Sequence, residues 1–175
     1  MRLKYLLLPS IFLLSSAALH AAPVVALGAS NTEGKGRGAT PDGVPREQAF
    51  PAQLEKILGA QGCKVRVQNA GIAGDTTSGM LRRLPGAIAK DTKVLILQPG
   101  GNDSRRGVGG DTQANIAQIR SYAETRGIKV IMLENLGRLA GSYRLPDGQH
   151  FSFDGHTAFA NHVAPQILAS PACGK

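Results

Sequence analysis

The sequence predicts an α/β fold: a parallel sheet of about four strands with helices on both faces, built from residues 23–175 as one domain. Two patterns carry that prediction. Short apolar runs alternate with longer amphipathic ones, and the order β-α-β-α-β-α-β-…-α is the one that winds helices over a parallel sheet. Three of the four short runs are almost wholly apolar, as strands covered on both faces must be.

The strand-like runs are VVAL (24–27), KVRVQN (64–69), KVLILQ (93–98) and KVIML (129–133). KVRVQN alternates apolar with polar residues, which suits an edge strand with one wetter face. The first helical pattern, 45–62, opens at Pro45 and closes on glycine, with Phe50, Leu54, Ile57 and Leu58 on one face and Pro51 near its start. The second, 76–90, has a cap-like Thr76 or Thr77, and Pro85 is expected to break it in two. The third, 111–127, starts at an N-cap Asp111 and stops at Gly127, with Ile116, Ile119 and Tyr122 facing inward. The last, 155–170, follows Asp154 as its cap, and Pro165 should disturb its second half.

Ahead of the first strand stands a different kind of segment. MRLK carries two positive charges, YLLLPSIFLLSSAA is apolar, and LHAAP supplies small residues for cleavage. That is the pattern of a secretory signal over residues 1–22, too short in its apolar stretch for the roughly 20 residues of a membrane span. The expected destination is the periplasm or the exterior, with no membrane insertion once the leader is removed. The formal charge of +8 includes Arg2 and Lys4, so residues 23–175 carry +6. Those charges are scattered, and no basic run with interleaved aromatics marks a nucleic-acid surface.

The stretch PVVALGASNTEGKGRG (23–38) raises the functional question, because an apolar strand feeding a glycine-rich loop suits a phosphate or a nucleophile. A phosphate loop places four residues between its first glycine and Gly-Lys, followed by Ser or Thr. Here five residues separate Gly28 from Gly34, and Gly36 follows Lys35. The dinucleotide fingerprint fails as well, because Ser30 occupies the place of its second glycine. Ser30 as nucleophile makes demands elsewhere: a histidine to take its proton, a carboxylate to orient that histidine, and fixed donors for the oxyanion. These parts belong just past the carboxyl ends of the strands, where a parallel sheet forms its crevice.

They are found there. NAGIAGDTT (69–77) follows the second strand, PGGNDSRRG (99–107) follows the third and offers the Asn102 amide, and LPDGQHFSFDGH (145–156) precedes the last helix. Asp147 and His150 stand three residues apart, a spacing that brings carboxylate and imidazole to one side of a turn. Asp154 and His156 form a competing pair, with Asp154 more simply a helix cap. His150, His156 and His162 stand six residues apart, unlike the close ligand pairs of zinc sites, so no metal and no cofactor is expected.

Taken together, GASNT, NAGIAGDT, GGND and DGQH resemble the four blocks of the SGNH (GDSL-type) hydrolases, most closely the exported esterase, thioesterase and lysophospholipase branch. They span residues 28–150. The resemblance implies a three-layer, flavodoxin-like α/β/α fold with strand order 2-1-3-4. It implies Ser30, Asp147 and His150 as catalytic residues, with an oxyanion hole formed by the Ser30 and Gly74 backbone N–H groups and the Asn102 amide. The implied activity is hydrolysis of a small-molecule, glycan or lipid ester, or a thioester, through an acyl-enzyme, by a monomer. A carbohydrate O-acetyl esterase and a catalytically silent envelope binding module are the alternatives.

Two departures stand out. Ala29 occupies the position where the family usually has Asp. Only 13 residues separate Leu133 from Asp147, where family members usually place another helix and a fifth strand, so four strands and a more open site are expected.

Cys63 and Cys173 are expected to form a disulfide. Cys63 precedes the second strand, and Cys173 follows a last helix running antiparallel to the strands, so both lie at the amino-terminal edge of the sheet. Closing a loop of that length contributes roughly 4–5 kcal/mol in the chain-entropy model.

Overall fold

The computed structural model describes residues 23–35 and 43–174. Residues 1–22, where a leader is expected, and residues 36–42 of the glycine-rich loop lie outside the described residues. Four parallel strands form one sheet in the order β2-β1-β3-β4: β1 (Val24–Gly28), β2 (Val67–Gly71), β3 (Val94–Gln98) and β4 (Lys129–Met132). The register is continuous across the centre, with Val24 opposite both Val67 and Val94, and Gly28 opposite both Gly71 and Gln98. All three of these strands therefore end at one level, where the loops of the crevice begin.

Side chains alternate across β1 and β3 and divide the interior into two layers. Val24, Ala26, Val94 and Ile96 face α2 (Phe50–Ala60) and α7 (Phe153–Leu168), meeting Phe50, Leu54, Leu58, Phe159, Val163 and Ile167. On the opposite face, Val25, Leu27, Leu95 and Leu97 meet Met80 and Leu84 of α3 (Thr77–Ala87), and Ile116, Ile119 and Ala123 of α5 (Thr112–Glu124). Both central strands are buried along their whole length, which explains their unbroken apolar runs. Truncating one large core side chain to alanine costs about 2–5 kcal/mol, so this patterning fixes which face each helix covers.

Several boundaries differ from the sequence expectation. β2 begins at Val67 and not at residue 64: the Val67 N–H donates to Glu55 Oε2 at 2.7 Å, and the Arg66 carbonyl accepts the Val24 N–H as the ladder opens. Its edge position is as expected. α2 starts at Phe50 with Pro51 in its first turn, after a single 3₁₀ turn over Arg46–Gln48. Neither Pro85 nor Pro165 breaks its helix. Both prolines are exposed, and so is Asn161, whose carbonyl loses its bond to Pro165 and can bond to water instead. Thr76 caps α3 by accepting the Gly79 N–H at 3.1 Å, whereas Asp111 occupies the cap of α5 with no side-chain bond. The last helix starts earlier than expected. Ser152 is its N-cap residue, and Asp154 lies in the first turn and is not the cap.

Two short helices complete the crevice, α1 (Ser30–Glu33) and α4 (Asn102–Arg105). A third, α6 (Leu136–Ala140), lies in the short segment between Leu133 and Asp147. Among the described residues no fifth strand follows it; one antiparallel bridge pairs Arg144 with Phe151. At the other edge of the sheet, Cys63 and Cys173 are joined in a disulfide with their Cα atoms 5.3 Å apart. Among the described residues no helix is long and apolar enough to cross a membrane.

Candidate active site

Three strand ends and the loop before α7 converge on one cavity of about 280 Å³. Ser30, Asn102 and His150 all line it. Asp147 stands behind His150, and Gly74 is not among the lining residues.

Ser30 is placed by a tight turn from β1 into α1. A Cβ at Gly28 would collide with Thr32 Oγ1 and crowd Gln98 Oε1, so the turn closes only with glycine there. Gln98, the last residue of β3, accepts the Ala29 N–H at 3.3 Å and the Thr32 hydroxyl at 3.0 Å, holding the turn from below. Glu33 fastens its far end by accepting the Ala73 N–H at 2.6 Å. Ala29, the departure from the family pattern, is buried and joins the apolar layer under α3 and α5. Ser30 itself is half-buried, and its side chain makes no hydrogen bond among the described residues.

Asn102 opens α4 and is buried. Its Nδ2 donates to the Asp75 carbonyl at 2.7 Å, and its Oδ1 accepts from Arg105 Nη2 at 3.0 Å. The two bonds fix which end of the amide is oxygen and leave one Nδ2 hydrogen uncommitted. Gly74 adjoins Asp75, and its φ of +75° is the left-handed conformation that favours glycine. Asp103 supports this loop through a different partner: its carboxylate accepts the Thr77 N–H at 3.1 and 3.2 Å and the Thr77 hydroxyl at 2.5 Å.

One structural clamp was not legible in the sequence. Arg83, on α3, binds Asp75 Oδ2 at 2.7 Å, the Ala70 carbonyl at 2.7 Å and the Gly28 carbonyl at 2.9 Å. It therefore ties the ends of β1 and β2 together under the Ser30 turn. A lone arginine on a helix face gives no sequence signal for such a role.

His150 and Asp147 meet as their spacing predicts. Asp147 Oδ2 is 2.5 Å from His150 Nδ1, and Asp147 Oδ1 accepts the Gln149 and His150 N–H groups at 2.9 Å each. Partial burial pushes the Asp147 carboxyl upward, but these N–H groups and the His150 ring outweigh it and hold it at about 2. Asn31 Nδ2 reaches the Gln149 carbonyl at 3.4 Å and links the serine turn to this loop.

The competing pair does not form. His156 is fully buried; its Nδ1 accepts the Phe50 N–H at 3.3 Å and its ring stands edge-on to Phe159. It supplies an acceptor at the start of α2, away from the cavity. Burial, and then the charge of His150, push its pKa down to about 4.

This arrangement of strand-end loops is that of a hydrolase family. The model of the GDSL-like lipase/acylhydrolase family matches residues 26–170, and the chain belongs to that family. Esterase TesA of Pseudomonas aeruginosa is 39% identical over 93 residues, a match covering 52% of this chain and 46% of that protein. The chain thus spans about half the length of that relative. An arylesterase of Vibrio mimicus is 29% identical over 171 residues, covering 95% of this chain and 79% of its own. Among solved structures, TesA superposes with a TM-score of 0.66 at 24% identity, covering 83% of this chain and 98% of that one. The psychrotrophic esterase EstA from Pseudoalteromonas reaches 0.68 at 15% identity, covering 83% and 96%. These likenesses establish a common fold.

Proposed function

We propose that this protein hydrolyses carboxylic esters, with Ser30 as nucleophile, His150 as general base and acid, and Asp147 orienting the imidazole. The observation that carries this reading is that Ser30 and His150 line one cavity while Asp147 Oδ2 stands 2.5 Å from His150 Nδ1. With Nδ1–H bonded to a carboxylate ionised far below neutral pH, Nε2 is left as the basic nitrogen. Ser30 Oγ attacks the acyl carbonyl as His150 takes its proton. The oxyanion is received by the Ser30 N–H group and the uncommitted Asn102 hydrogen. The family resemblance implies a third donor, the N–H of Gly74, which adjoins Asp75 but is not among the cavity's lining residues. His150 returns the proton to the leaving alcohol, and water then releases the acyl group by the same route. The leader-like segment 1–22 supports action outside the cytoplasm.

The cavity is small, and glycines and polar side chains make up much of its wall, with Ala29, Pro99, Leu136 and Phe151 its apolar members. A short acyl group fits it better than a long chain. The same observation favours a second reading within the class, removal of O-acetyl groups from a glycan.

A panel of p-nitrophenyl acetate, butyrate, octanoate and palmitate, with an acetylated sugar alongside, tests both. Turnover is expected to be best for the shortest chains, and Asn102→Ala should lower kcat by roughly 10²–10³ with little change in KM. Preference for palmitate would contradict the short-chain reading. A rise in KM at unchanged kcat would make Asn102 a ground-state binding residue.

A further inference from the structure

Two arginines, Arg105 and Arg144, are among the residues lining the same cavity as Ser30 and His150, and no Asp or Glu is among them. We propose that this cavity selects esters bearing an anionic group close to the scissile bond, with Arg105 and Arg144 as the residues that recognise the anion. This rests on the ester-hydrolase reading above and adds the substrate's charge to it.

The two arginines approach from different elements. Arg105 closes α4, three residues after Asn102, and its Nη2 donates to Asn102 Oδ1. Arg144 comes from the loop before His150. Its Nη1 donates to the Gly148 carbonyl at 2.9 Å, and its guanidinium carbon stands 4.8 Å from the centre of the Phe151 ring. Stacking and one hydrogen bond hold a planar fork in place and leave most of its five N–H donors for a ligand.

Neither arginine forms an ion pair with a carboxylate among the described residues. Each of the other site carboxylates is already engaged. Asp75 pairs with Arg83, Asp103 is bonded to Thr77, and Asp147 is bonded to His150. The wall therefore presents two uncompensated positive groups to whatever enters. Arginine forks bind carboxylate and phosphate in bidentate geometry, and such charge-assisted bonds are about twice as strong as neutral ones. A neutral ester would leave both groups unanswered.

The charge can sit on the acyl side or on the alcohol side, and matched substrates separate the two. One arm compares the p-nitrophenyl monoester of adipate with p-nitrophenyl hexanoate. The other compares 4-acetoxybenzoate with 4-acetoxybenzamide. Each kcat/KM is divided by the hydroxide-catalysed rate of the same ester. The wild-type protein is expected to favour the anionic member of at least one pair by about tenfold or more. Arg105→Gln and Arg144→Gln should each reduce that ratio, and the double variant should bring it close to one. Because the ratio is taken within one variant, general loss of activity cancels.

Should the double variant not fold, ionic strength decides on the wild type. The ratio should fall as salt rises from low concentration to about 0.2 M, since partly exposed charges are screened. A ratio of one or less in both arms, a ratio unchanged in the folded double variant, or a salt-independent ratio would overturn the proposal. Turnover of neutral esters in any of those cases would leave the ester-hydrolase reading standing. No turnover of any ester would overturn both.

Discussion

His150 and His156 stand six residues apart on either side of the α7 start, each with an aspartate close by in sequence, and the fold gives them opposite environments. The His150 side chain is 14% exposed, faces the cavity and bonds a carboxylate. His156 is wholly buried, meets a backbone N–H and the Phe159 ring, and has no partner for Nε2 among the described residues. One imidazole is kept at the cavity wall beside a carboxylate; the other is kept where a proton is costly. The residue type carries the potential for catalysis, and burial with hydrogen-bond partners decides whether it is realised.

The largest effect that can break this contrast is at His150. His150→Ala should lower kcat for a short-chain ester by several orders of magnitude, with the melting temperature nearly unchanged. Asp147→Asn comes next, at roughly 10²–10⁴-fold in kcat, because it removes the group that fixes the imidazole's tautomer and orientation. Asp154→Asn, in the exposed first turn of α7, should leave kcat within about twofold and cost only a few tenths of a kcal/mol by urea unfolding. If the Asp154 variant lost more activity than the Asp147 variant, the assignment of the two pairs would be reversed.

His156→Ala should invert the pattern seen at His150. It deletes a buried ring and leaves the Phe50 N–H without its acceptor, for a loss of roughly 2–4 kcal/mol of stability. The folded fraction should retain kcat within about twofold.

The finest test is the dependence of stability on pH. Above pH 6.5 His156 is neutral in both folded and unfolded chains and contributes no slope. Below it, the unfolded chain takes up a proton that the folded protein, with a His156 pKa of about 4, does not. Stability should therefore fall as pH drops from 6.5 to 4, by on the order of 3 kcal/mol from this group. His156→Gln should remove that component, and the difference between the two denaturation profiles cancels the carboxylates that titrate in the same range. Parallel profiles would show that His156 does not resist protonation.

Much of this was legible in the sequence, for physical reasons. Strands buried on both faces produce unbroken apolar runs, so VVAL and KVLILQ marked the sheet's centre and the alternating KVRVQN marked one edge. The equally apolar KVIML misled, because β4 forms the opposite edge and is only partly buried. The three-residue spacing of Asp147 and His150 is local geometry and held. What depended on long-range partners was less legible. The start of β2 is set by Glu55, and the supports of the serine turn, Gln98 and Arg83, come from 55 or more residues away in the chain. The prolines misled because their cost depends on solvent at the carbonyls they orphan, which a sequence does not display. The arginines of the cavity wall were obscure for a similar reason: scattered cations in the chain come to line one cavity only when α4 and the loop before α7 converge.

The central claim is that Ser30 is the nucleophile, and a fluorophosphonate probe tests it most directly. The wild-type protein should take up one phosphonyl group per chain, located on Ser30 by peptide mass, with activity lost in proportion to labelling. Ser30→Ala should remain folded, unlabelled and inactive. Labelling at another residue, or a Ser30→Ala protein that keeps half its esterase activity, would contradict the account.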